Sequence, residues 1–128
     1  MSYLLKKSIY ANYLQINVEG TWPWESPANI IEEIFDLSRE HKNLALLIDL
    51  RKMKSTPSVV SDYFEVEKFA AAGFSKIGFI AVLDILERKE SSEFFETTAS
   101  NRGMNFRFFY SDIDEAVSWL LSKTRKSK

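Results

Sequence analysis

The sequence predicts an α/β fold: a mainly parallel, mixed five-stranded sheet with a leading hairpin and four helices. Three observations predict it. Residues 44–48 and 77–83 are short, continuously apolar runs, the pattern of strands buried on both faces. Between them and beyond them lie segments with apolar residues at helical spacing. Ser26-Pro27 and Thr56-Pro57 each place a hydroxyl before a proline at the head of such a segment. Proline suits a first helical turn, where its missing N–H has no partner to lose, and the hydroxyl can cap free amides. The resulting order, ββαβαβαβα with short connections, reads as successive β-α units in one domain spanning 1–128.

Each element has its own signal. Residues 4–9 and 13–19 read as strands joined by a turn at Asn12. Leu14, Ile16 and Val18 alternate with Gln15, Asn17 and Glu19, as in a half-buried strand. Residues 20–24 are expected to form a loop carrying Trp22 and Trp24. The first helix aligns Ile30, Ile31, Ile34, Phe35 and Ser38 on one stripe; His41 and Lys42 suit its last turn, and Asn43 its stop. The strand at 44–48 closes on Asp49, and a basic loop follows with Arg51, Lys52 and Lys54. The second helix starts near Pro57, turns Val59, Val60, Tyr63, Phe64, Val66 and Ala70 inward, and ends at Gly73. In the next strand Gly78 and Ala81 leave room for a helix to approach closely. The third helix presents Phe94, Phe95, Thr98 and Ala99 and ends at Gly103. Residues 106–110, with Arg107 between aromatics, read as an edge strand. Ser111 and Asp114 form a capping pattern for the last helix, which buries Ile113, Ala116, Val117 and Leu120.

Composition narrows the function classes. Seventeen Lys+Arg against eighteen Asp+Glu give a formal net charge of -1, so no global field draws the protein to nucleic acid or an anionic membrane. Cysteine is absent and His41 is the single histidine, which argues against disulfides, thiol nucleophiles, Ser-His pairs and multi-histidine metal sites. The four glycines are all separate, so no glycine-rich phosphate loop is present. No cofactor and no metal are expected. No segment has the length of a membrane span or the pattern of a signal peptide, and a cytoplasmic protein is expected. The basic end of the chain (Lys123, Arg125, Lys126, Lys128) reads as a solvated helix end.

Several stretches together resemble the SpoIIAA-like (STAS-type) family, and an uncharacterised bacterial branch of it more than the anti-sigma-factor antagonists. They are Val18-Glu19-Gly20-Thr21, Leu47-Ile48-Asp49-Leu50, Ile77-Gly78-Phe79-Ile80-Ala81-Val82, and Phe108-Phe109 followed by 114–120. The resemblance covers nearly the whole chain, and these are core and cap signals, which specify fold rather than activity. It implies a single SpoIIAA-like domain. It also implies a phosphorylatable hydroxyl near the start of the second helix, where the antagonists carry an Asp-Ser-Ser-Gly-like signature. This chain has Lys54-Ser55-Thr56-Pro57-Ser58 there. Hydroxyls remain, at Ser55 and Thr56, while the acidic residue and the glycine are missing. Some relatives are compared with CRAL-TRIO lipid-transfer domains, which implies an apolar pocket.

In open parallel sheets ligands bind beyond the carboxyl ends of the strands. That edge is expected to gather Thr21, Trp22 and Trp24, then Asp49, Arg51, Lys52, Lys54, Ser55 and Thr56, then Asp84 and Arg88, then Tyr110 and Ser111. A basic loop beside helix N-termini suits an anion or an acidic protein surface. Each residue also has a structural role open to it: the hydroxyls as caps, the tryptophans as core closure, Asp49 as acceptor for loop amides. The preferred function is a non-catalytic regulatory or binding module engaging a protein partner or a small anionic ligand through these loops. The other reading is a carrier of an apolar or lipid-like molecule in a cavity lined by Phe64, Phe79, Phe94, Phe95 and Phe108. Because β-α units wound in one hand put their helices on one sheet face, the second face needs cover, and a homodimer or larger assembly is expected.

Overall fold

The structure, a computed structural model, describes residues 3–21, 28–40, 45–54, 59–110 and 112–125, without the side chains of 28, 59–65, 124 and 125. Strands β1 (Tyr3–Ile9) and β2 (Leu14–Thr21) form the leading hairpin, with Ile9 opposite Leu14 and Tyr3 opposite Gly20. Asn12 lies in its turn, which Tyr10 N–H closes on the Tyr13 carbonyl at 3.0 Å. The chain continues through α1 (Ala28–Glu40), β3 (Ala45–Asp49), β4 (Met53–Lys54), α2 (Val59–Ala72), β5 (Phe79–Asp84), α3 (Lys89–Asn101), β6 (Phe106–Tyr110) and α4 (Ile113–Arg125).

The main sheet runs β1-β2-β3-β5-β6, parallel throughout except for the hairpin. This is the expected five-stranded order with one addition. The basic loop after β3 contributes the two-residue β4, a sixth strand whose Met53 and Lys54 pair with Gly20 and Thr21. β2 consequently runs two residues further than the alternation alone indicates, and Thr21 belongs to a strand rather than to a loop.

Two cores lie on the two faces of the sheet. On the first, Leu14, Ile16 and Val18 of β2, Leu46 and Ile48 of β3, and Ile80 and Val82 of β5 meet Ile30, Ile31 and Ile34 of α1, Val66 and Phe69 of α2, and Phe95 and Ala99 of α3. Phe69 sits edge-on to Phe74, Phe95 and Phe106 with centroids 4.7, 5.4 and 5.6 Å apart, a favoured geometry for aromatic pairs. Full burial of each such aliphatic or aromatic side chain contributes about 1.5–3 kcal/mol. On the second face, Ala45, Leu47, Ala81, Leu83 and Phe109 pack against Ala116 and Leu120 of α4. The small Ala81 lets α4 come close, as expected.

This second core removes the reason for expecting an assembly. The β-α units do place α1, α2 and α3 together, as one-handed crossovers require. The last helix instead folds back over the opposite face, where Ala116 and Leu120 cover it. Its cap also differs from the expected one: Asp112 accepts the amides of Asp114 and Glu115 at 3.0 and 3.3 Å. Gly73 ends α2 in the left-handed region at φ 107°, and an added Cβ there would lie 3.0 Å from Phe35 Cζ.

Candidate functional site

The carboxyl ends of β2, β3 and β5 meet at the loop 50–54, which is built from two arginine-carboxylate pairs of opposite placement. Asp49 ends β3 facing the α4 side. It accepts Arg51 N–H at 3.0 Å, Arg51 Nε at 3.1 Å and one Arg51 terminal nitrogen at 2.9 Å. Strand-end acceptor of a loop amide is thus the role Asp49 fills, and the two-pronged pair folds the loop back on its own strand. The carboxylate beside it raises the Arg51 pKa, with burial opposing.

Asp84 ends β5 facing the α3 side and is buried at 3% exposure. Its oxygens accept Ile85 N–H at 2.8 Å, Arg88 Nε at 2.7 Å and the Ser92 hydroxyl at 2.9 Å. Arg88 spends the rest of its guanidinium on the loop: it donates to the Leu50 carbonyl at 2.8 Å and the Met53 carbonyl at 3.2 Å. The side chain is only 9% exposed. Arg88 is therefore a strut that fixes the loop to β5 and α3, rather than the ligand-facing cation the sequence predicts. A buried guanidinium needs this many acceptors, since each unpaired donor out of water is costly.

Held in this way, the loop presents Lys52 and Lys54 to solvent and Arg51 partly so. Thr21 lies beside Lys54 through the β2–β4 pairing. Asn17, Val18, Glu19, Asp49, Arg51 and Lys52 line an open cleft of about 330 Å³. Asn17 and Asp49 are register partners on adjacent strands, and Gln15 donates to Asn17 Oδ1 at 2.8 Å. Two carboxylates stand among the cleft's two cations, so it offers no simple anion cradle. The exposed positive charge lies on the rim, at Lys52 and Lys54.

The structure thus brings together Thr21, Arg51, Lys52 and Lys54, and turns Arg88 inward. Trp22, Trp24, Ser55, Thr56 and Ser111 lie outside the described residues, as do Pro27, His41, Lys42, Asn43, Leu44, Pro57 and Ser58. Sequence reasoning missed Asn17 and Glu19 as lining residues and Ser92 as an Asp84 partner. It also missed Leu86, 61% exposed in the 3-10 turn before α3 on the same rim. The register of β2 against β3 was the signal for Asn17; nothing local marks Ser92. Tyr110, at the end of β6, has a buried hydroxyl near Ser92. Burial pushes its pKa up to about 12, with the Glu93, Glu96 and Asp84 carboxylates adding and the Ser92 hydroxyl opposing.

The aromatic residues proposed to line one cavity are divided by the sheet. Phe95 and Phe108 lie on the α1–α3 face, 5.6 Å apart. Phe79 lies on the α4 face against Trp119, at 6.0 Å. The Phe64 side chain is outside the description. Among the described residues no helix is long and apolar enough to cross a membrane.

No family model matches the chain, and no curated protein matches it by sequence. Solved structures do match over nearly full length. An anti-sigma factor antagonist from Mycobacterium paratuberculosis is 17% identical with a TM-score of 0.65, covering 94% of this chain and 95% of its own. An uncharacterised DUF3478-family protein with a SpoIIAA-like fold, from Shewanella loihica, is 16% identical with a TM-score of 0.57, over 92% and 93%. The anti-sigma factor antagonist SpoIIAA in its unphosphorylated form is 10% identical with a TM-score of 0.51, over 94% and 98%. The matches extend over nearly the whole of each chain, and the chain has the SpoIIAA-like fold.

Proposed function

We propose that residues 1–128 act as a single non-catalytic, protein-binding regulatory module of the bacterial cytoplasm. The recognition surface is the loop 50–54 with its neighbours. The carrying observation is the Arg88 strut: a buried guanidinium fixes the loop through two carbonyls and Asp84, while Lys52 and Lys54 stay exposed on it. Holding a charged loop in one shape lowers the ordering cost of binding a partner. Its charge favours an acidic protein surface over a small anion, because Glu19 and Asp49 stand inside the adjoining cleft. That two of the similar structures are anti-sigma factor antagonists supports the same reading. Trp22 and Trp24, next along the chain from Thr21, extend the surface on this proposal. A phosphoryl group on Ser55 or Thr56 would add negative charge beside Lys54 and weaken the hold on an acidic partner.

The apolar-carrier reading has less support, since the sheet separates Phe79 from Phe95 and Phe108. With α4 over the second face, a homo-oligomer forms no part of the proposal. The test is affinity capture from the source cells with wild-type protein, Lys52→Glu/Lys54→Glu, and Lys76→Glu, which reverses an exposed charge elsewhere. A partner kept by the wild type and Lys76→Glu but lost by the double variant supports the proposal. The same partners on all three, or a stoichiometric lipid in organic extracts, would overturn it.

A further inference from the structure

The β6 edge of the sheet carries a second site, independent of the loop 50–54. β6 pairs with β5 alone, in parallel register, and Ile80 N–H donates to the Asn105 carbonyl at 2.9 Å. In such a ladder the N–H and C=O groups alternate sides. Residues 105, 107 and 109 therefore bond toward β5, and those of Phe106, Phe108 and Tyr110 point away from it. One of these outward amides shows what it accepts: Phe108 N–H donates to Glu96 Oε1 of α3 at 2.8 Å. The carboxylate occupies the place that a carbonyl of an added strand would take.

The ground beside this edge is a groove of about 460 Å³ between α3 and α4, walled by Phe108 and Trp119. Its rims have opposite charge. Glu93 and Glu96 stand on the α3 side; Arg107 and Lys123 stand on the α4 side. Side chains of a strand alternate between faces. A strand laid along β6 would thus send every second residue to an acidic rim and the others to a basic one. We propose that the β6 edge binds an extended peptide with alternating basic and acidic side chains, which adds as a further strand and displaces Glu96 from the Phe108 amide. A second copy of this chain fits less well: paired with itself, β6 would bring another Arg107 to the face already holding Arg107 and Lys123.

The test is an NMR titration of ¹⁵N-labelled full chain with acetylated eight-residue peptides of alternating lysine and glutamate. The amides of Phe106, Phe108 and Tyr110 should shift. A peptide of the same composition in two blocks should bind about tenfold more weakly, having lost half its charge matches. Two N-methylated analogues probe the ladder: methyls on the lysines block an antiparallel strand, methyls on the glutamates a parallel one. One analogue should lose binding and the other keep it. Glu93→Lys/Glu96→Lys should weaken the alternating peptide about tenfold as well. Equal binding of alternating and block peptides would overturn the proposal, as would identical behaviour of the two methylated analogues. Concentration-dependent shifts of the same amides without peptide would assign the edge to a second copy instead.

Discussion

Replacing Arg88 by methionine keeps the length of the side chain and removes everything the strut does. Asp84, 3% exposed, would keep Ile85 N–H and the Ser92 hydroxyl but lose its counter-charge. The Leu50 and Met53 carbonyls would lose their donor. Breaking a buried pair from one side costs about 3–5 kcal/mol, and the two remaining donors on Asp84 place the expected cost near the lower end, about 3 kcal/mol. At a urea slope of about 2 kcal/mol per molar that moves the unfolding midpoint down by about 1.5 M. Adding Asp84→Asn removes the stranded charge, and the double variant should recover about 1–2 kcal/mol. Hydrogen exchange supplies the second readout: the Met53 amide, bonded to the Leu50 carbonyl at 3.0 Å, should exchange faster once the loop is loosened. A loss below about 1 kcal/mol with unchanged Met53 exchange would refute the strut.

Other expectations follow from the same contacts. Leu47 is fully buried between the sheet and α4, so Leu47→Asp should cost several kcal/mol and leave no cooperative melt in circular dichroism; soluble, cooperatively melting protein would contradict the assignment of a core on the α4 face. Gly73→Ala combines a left-handed backbone with a 3.0 Å approach to Phe35, whereas Gly103, at φ 79°, has open space around an added Cβ. Thermal melts should show Gly73→Ala as the more damaging, with Gly103→Ala losing about 1 kcal/mol. The Tyr110 pKa is raised from 10.0 to about 12 in the folded state, so its contribution is intact below pH 10 and lost as pH climbs toward 12. Tyr110→Phe should flatten that part of the pH-stability curve, and an unchanged alkaline limb would count against the burial of this phenol.

The parallel strands were legible because they are short apolar runs, and the hairpin because Leu14, Ile16 and Val18 alternate with polar residues. What failed to show was tertiary. Arg88 stands among Glu87, Lys89 and Glu90 and looks locally like any solvated charge. Its burial depends on carbonyls 35 and 38 residues earlier in the chain. The face chosen by α4 was hidden for a similar reason: its stripe of Ala116 and Leu120 specifies a buried side, while the residues it meets, Ala45, Leu47, Ala81 and Leu83, come from strands well before it in the chain. β4 carries only two residues, too few for any periodicity. Asp112 and Ser111 are both good cap residues in adjacent positions, and pattern alone does not separate them.

The proposed function turns on Lys52 and Lys54 acting as a rigid charged surface, and the salt dependence of binding tests that most directly. With a purified captured partner, the wild-type dissociation constant is measured by calorimetry between low and high salt, beside Lys52→Glu/Lys54→Glu. The expected result is an affinity that falls steeply with salt for the wild type, and at low salt an affinity at least about tenfold weaker for the double variant, with the steep salt slope lost. Equal affinities with equal salt slopes would contradict the assignment of this loop as the recognition surface.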